Sequence, residues 1–77
     1  MYRLRIEKLR KIAALHGDTN SGAIHRRTGI AESSVYRYVS GQSQPDLNSA
    51  LRLAAAYGVF VEDLMQPIAD DAESVPA

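Results

Sequence analysis

Cysteine is absent from the 77 residues, and formal net charge is zero. Without thiols there is no disulfide framework and no thiolate metal site, and the only two histidines, His16 and His25, stand too isolated to form a ligand pair. No apolar run approaches the roughly 20 residues that span a bilayer. The N-terminal stretch MYRLRIEKLR alternates charge with apolar residues where a secretory signal would be uniformly apolar. These absences point to the cytoplasm and away from a membrane partner. Catalytic equipment is lacking too. The carboxylate pairs Glu62-Asp63 and Asp70-Asp71 have no nucleophile, glycine-rich phosphate loop or metal cluster near them. Neither an enzyme nor a cofactor is expected, and a chain this short divides into no more than one core.

The zero net charge hides an asymmetry. From Met1 to Pro45 eight basic residues face three acidic ones, Glu7, Asp18 and Glu32, whereas from Asp46 onward Arg52 alone faces six acids. A basic half of this kind suits a polyanion, and the acidic half suits something else.

Apolar spacing predicts five helices and an all-α, compact fold. The first runs from about Tyr2 to Leu15, with Tyr2, Ile6, Leu9 and Ala13 on one face, widened by Leu4, Ile12 and Leu15, and it ends at Gly17. Its cations Arg3, Arg5, Lys8, Arg10 and Lys11 read either as a solvated face or as phosphate contacts, with Arg3 and Arg10 leaning to phosphate. The GDTNS run is turn chemistry, in which Thr19 or Asn20 can cap a second helix, Ser21 to Thr28. Gly22 weakens that helix by roughly 1 kcal/mol relative to alanine.

A third helix, about Glu32 to Val39, buries Val35, Tyr38 and Val39 and turns Glu32, Ser33, Tyr36, Arg37 and Ser40 outward. Between the second and third helices Gly29 supplies a bend without a Cβ, as a helix-turn-helix requires. Pro45 keeps GQSQP extended, and Asp46 caps a fourth helix carrying Leu47, Ala50, Leu51, Leu53, Ala54 and Tyr57 as its core face. A short fifth helix, Val61 to Met65, closes a domain spanning residues 1–66. Residues 67–77, small and acidic, form a flexible tail.

From Ile6 to Met65 the chain resembles the lambda-repressor and Cro-like (XRE) helix-turn-helix family. The likeness rests on Leu9-Arg10, the motif IHRRTGIAESSVYRYVSG, the loop GQSQP, and LRLAAAYGVFVEDLM. It implies a lambda-repressor-like domain that binds operator DNA as a transcriptional regulator, often as a dimer; some members act as antitoxins or adaptors for a protein partner. The chain departs from the family pattern at four places. Ser21 replaces a phosphate-touching glutamine, and His25 an alanine that lets the helices approach. Val39 stands where a glutamate pairs with the first-helix arginine, leaving Arg10 for phosphate or for Glu7 or Asp18. Ala31 replaces a serine or threonine cap, at a cost of about 1 kcal/mol.

With the third helix in the major groove, Glu32, Ser33, Tyr36 and Arg37 are the candidate base readers. Arg37 is the strongest, because a guanidinium donates two bonds to guanine O6 and N7. Glu32 reads equally as an acceptor for cytosine N4 or as an acid favoured by the helix dipole. Phosphate contacts are expected from Arg10, Asn20, Ser21, Arg26, Arg27, Ser40, Gln42 and Ser43. A unit this small reads few base pairs, so a homodimer on two half-sites is the natural assembly. The apolar cluster around Val59, Phe60, Leu64 and Met65 is its candidate interface. The resulting expectation is a double-stranded DNA-binding regulator, a repressor of the phage or mobile-element kind, with a protein-interaction module as the alternative.

Overall fold

The computed structural model describes residues 2–68. In chain order they form β1 (Tyr2–Leu4), α1 (Ile6–Leu15), α2 (Ser21–Thr28), α3 (Glu32–Val39), α4 (Leu47–Tyr57), α5 (Val61–Leu64) and β2 (Met65–Pro67). The five helices expected from spacing are present. Met1 and most of the expected acidic tail lie outside the described residues.

The N-terminus corrects the expected helix from Tyr2. Residues Tyr2–Leu4 pair antiparallel with Met65–Pro67 in the register Tyr2↔Pro67, Arg3↔Gln66 and Leu4↔Met65. At 3.6 residues per turn, a helix begun at Tyr2 would set Leu4 about 140° away from Leu9. In a strand, Leu4 turns inward while Arg3 and Arg5 turn outward, and Leu4 is buried. Two further bonds fix this arrangement: Arg5 N–H donates to Leu64 O at 2.7 Å, and Leu4 N–H donates to Gln44 Oε1 at 2.7 Å. Met65 therefore belongs to β2 and not to the fifth helix, and β2 runs on to Pro67.

Helix starts follow their local chemistry. Asn20 Oδ1 accepts from Ala23 N–H at 2.8 Å, Asp46 Oδ1 from Ser49 N–H at 2.7 Å, and Asp63 Oδ2 from Phe60 N–H at 3.1 Å. Ala31 caps α3 without a side-chain bond, as its methyl group dictates.

The core gathers Leu4, Leu9, Ala13, Ile24, Ile30, Val35, Leu53, Ala54, Tyr57 and Leu64, with Ile6, Ile12, Tyr38 and Val39 packed partly against it. Helix α2 lies against both α3 and α4, and α1 against α3 and α5. Several apolar positions expected inside are outside: Leu15 is 84% exposed, Leu47 72% and Leu51 49%. Leucines on a helix spread over more than half of its circumference, and the neighbouring helices cover only one arc of it.

Candidate nucleic-acid interface

The bend between α2 and α3 is fixed by hydrogen bonds on three consecutive peptide groups. Gly29 takes φ 77°, in the left-handed region, and its N–H donates to His25 O at 2.8 Å. The buried Thr28 hydroxyl donates to Ile24 O at 2.8 Å and accepts Ile30 N–H at 3.2 Å. From the other side His25 Nδ1–H donates to Ile30 O at 2.6 Å. Both backbone groups of Ile30 are thereby tied to side chains of α2, and its own side chain is buried. His25 is thus a half-buried clamp on the turn, a role that sequence reasoning missed. The available signal was an imidazole four residues before the bend glycine, within reach of the carbonyl that follows it.

Helix α3 presents Glu32, Ser33, Tyr36, Arg37 and Ser40 outward, as expected. Tyr36 is 56% exposed, and Arg37 Nη2 reaches Ser34 Oγ at 3.5 Å along the same helix. Ser40 Oγ donates to Arg37 O at 3.3 Å, which returns its hydroxyl proton to its own helix. Arg37 O also takes the N–H groups of Gln42 at 2.9 Å and Ser43 at 3.3 Å. In that loop the side chains of Gln42 and Ser43, rather than their amides, are what can meet a ligand.

Three side-chain ends converge over Gly22 in the first turn of α2. A Cβ there would stand 3.3 Å from Glu32 Oε2, 3.4 Å from Asn20 Oδ1 and 3.5 Å from Arg26 Nη1. The first residue of α3 thus reaches the first turn of α2 beside Asn20 and Arg26. A second convergence lies between α1 and α2, where Arg10, Asn20 and Ser21 line a cleft of about 230 Å³ together with Val39. Asn20 Oδ1 is spent on its cap, so its amide NH₂ is the group left to donate.

Arg27, expected at a phosphate, is bonded within the fold. Its Nε–H bonds Asp18 Oδ2, its Nη2 reaches His16 O at 3.2 Å, and its guanidinium lies 5.5 Å from the centroid of the Tyr57 ring. Tyr57 OH donates to the same Asp18 oxygen at 2.7 Å. Asp18 is consequently held below the usual carboxylate range, first by Arg27 and then by Tyr57. Arg27 is pushed up by Asp18, and Tyr57 is pushed up by burial and by Asp18. Arg27 is therefore tied to the fold while still partly exposed, and Arg26 beside it is exposed as well. The alternative of Asp18 as a partner for Arg10 is likewise taken up by these two residues.

The candidate dimer residues separate. Leu64 is 0% exposed and belongs to the core, so it is no part of a surface. Val59 and Met65 are half-buried against that core. Phe60 is 75% exposed.

Two helices crossed through a glycine bend, with a polar outer face on the second, define a helix-turn-helix protein. The chain belongs to the Cro/C1-type HTH DNA-binding domain family, whose sequence model matches residues 8–70. No curated protein and no solved structure matches the chain. Among the described residues no helix is long and apolar enough to cross a membrane, and no group of three or more His, Asp or Glu side chains is placed to hold a metal.

Proposed function

We propose that this chain is a sequence-specific regulator of transcription, a repressor of the phage or mobile-element kind, that lays α3 along the major groove of a duplex operator. The observation that carries this reading is the outward face of α3, set at a fixed angle to α2 by the bonds on Ile30. A helix held this way presents its first residues and outer face to base edges without an ordering cost on binding. Arg37 reads guanine, with Glu32, Ser33 and Tyr36 beside it. Arg10, Ser21, Arg26, Gln42, Ser43 and the Asn20 amide hold the sugar-phosphate backbone on either side. Ser40 joins them through a hydroxyl that turns from Arg37 O to the phosphate.

Useful specificity requires two such units about 34 Å apart on a two-fold site. Phe60, flanked by Val59 and Met65, is the apolar projection we assign to that contact. The exposed leucines of α4 favour a second reading, in which the same fold recruits a protein partner as an antitoxin or adaptor does.

Selection of binding sites from a random duplex pool, followed by salt titration of the winner, tests the first reading. A preferred site and a steep fall of affinity with salt are expected. Absence of both, together with recovery of one stoichiometric protein partner by DNA-free protein, would transfer the fold to the second. Mass in solution, with and without the selected duplex, decides the dimer.

A further inference from the structure

A groove of about 880 Å³, separate from the Arg10 cleft, is lined by residues of β1, α1 as far as Ile12, the loop after α3, and β2. Its charged lining is Arg3, Arg5, Lys8 and Lys11 against Glu7. Strand alternation places Arg3 and Arg5 on the face opposite buried Leu4, and helical spacing puts Lys8 and Lys11 on one side of α1. Two carboxylates temper it: Glu7, one turn before Lys11, and Asp63, 4.0 Å from Lys8 Nζ in a half-exposed pair. Resting on the function proposed above, we infer that this groove is a second phosphate track, which takes the backbone of the duplex flanking the base pairs read by α3.

Continuity argues for this occupant. Gly41 and Gln44, at the two ends of the loop that leaves α3, form one wall of the groove, and a Cβ at Gly41 would lie 3.7 Å from Ile6 Cδ1. A backbone held by Gln42 and Ser43 of that loop continues directly into it. The chemistry argues the same way. Gln44 Oε1 accepts Leu4 N–H, which leaves its NH₂ to donate into the groove. The lining contains no aromatic side chain, whereas interfaces with proteins are anchored by aromatic residues. Phosphates recur every 3.4 Å of helix axis along one strand, so a track a few residues long meets several of them.

The test uses two duplexes with the same selected site, one ending at the pairs covered by α3 and one continuing by about eight base pairs on each side. Wild-type protein is expected to bind the longer duplex at least tenfold tighter at low salt, with a log–log salt slope steeper by about 2 to 3, at roughly 0.9 per phosphate. Arg3→Gln, Lys8→Gln and Lys11→Gln combined should erase both differences and leave binding of the short duplex unchanged, with circular dichroism confirming the fold. Equal wild-type affinities and slopes for the two duplexes would overturn the groove while leaving the α3 reading intact. So would equal losses on both duplexes in the variant. Binding of poly-glutamate by wild type but not by the variant, with the two duplexes indistinguishable, would assign the groove to an acidic protein. Failure of both duplexes to bind would overturn the function itself.

Discussion

Tyr57 OH donates to Asp18 Oδ2 at 2.7 Å across 39 positions of the chain, and Arg27 bonds the same carboxylate. Asp18 is thereby held below its ordinary value of 3.8, and the Ser49 backbone N–H does the same for Asp46. Carboxylates that bind protons more weakly in the folded state add stability that is whole above the unfolded value and is lost as pH falls through the folded one. The melting temperature should therefore hold down to about pH 5 and drop through pH 3.8 and below. In Asp18→Asn the starting value is lower and the acid slope shallower. Equal slopes in the two proteins would remove Asp18 from the account.

The two adjacent arginines of α2 should behave as different kinds of residue. Arg27→Ala is expected to lower the melting temperature through loss of the Asp18 and Tyr57 contacts. Arg26→Ala should leave stability within about 0.5 kcal/mol and weaken all duplexes alike, with a salt slope smaller by about 1. Arg37→Ala should relax preference at one base position at a cost of about 1–3 kcal/mol. Thermal melts combined with binding to a panel of single-base variants separate the three outcomes.

At the bend, Gly29→Ala forces a Cβ into left-handed backbone and to within 3.3 Å of Arg52 Nη1. Left-handed geometry costs roughly 1–2 kcal/mol for a residue with a Cβ. Gly17→Ala is the control, with φ 83° and nothing within 4 Å, so it should cost the backbone strain alone. Urea melts should show Gly29→Ala equal to or worse than Gly17→Ala. Thr28→Val leaves Ile30 N–H without its acceptor, and about 1–3 kcal/mol should be lost.

Two substitutions should stabilise. Ala31→Ser supplies α3 with the side-chain cap it lacks, a gain of about 0.5–1 kcal/mol. In Gly22→Ala the new methyl meets only the tip of the exposed Glu32 side chain at 3.3 Å, with the Asn20 and Arg26 side chains just beyond it. Once Glu32 moves aside, helix propensity gains about 1 kcal/mol. If Gly22→Ala also changes base preference, Glu32 reads bases from the position it occupies against α2; unchanged preference would limit it to the helix start.

Helices α2 and α3 and the bend between them could be read from the residues alone, because an Asn cap, a bend glycine and helical spacing of apolar side chains act within a few positions of one another. The outward face of α3 was legible for the same reason. Tertiary structure alone decided the rest. A three-residue strand of charged and apolar residues is indistinguishable from the first turn of a helix until Met65–Pro67 arrives to pair with it. Leu64 and Phe60 belong to one apolar cluster interrupted by Glu62 and Asp63, and only the packing of α5 under α1 and α4 buries the first and exposes the second. Arg26 and Arg27 are the same residue type side by side. Their surroundings differ because Asp18 and Tyr57, brought together across 39 positions of the chain, bond the Arg27 guanidinium or lie against it.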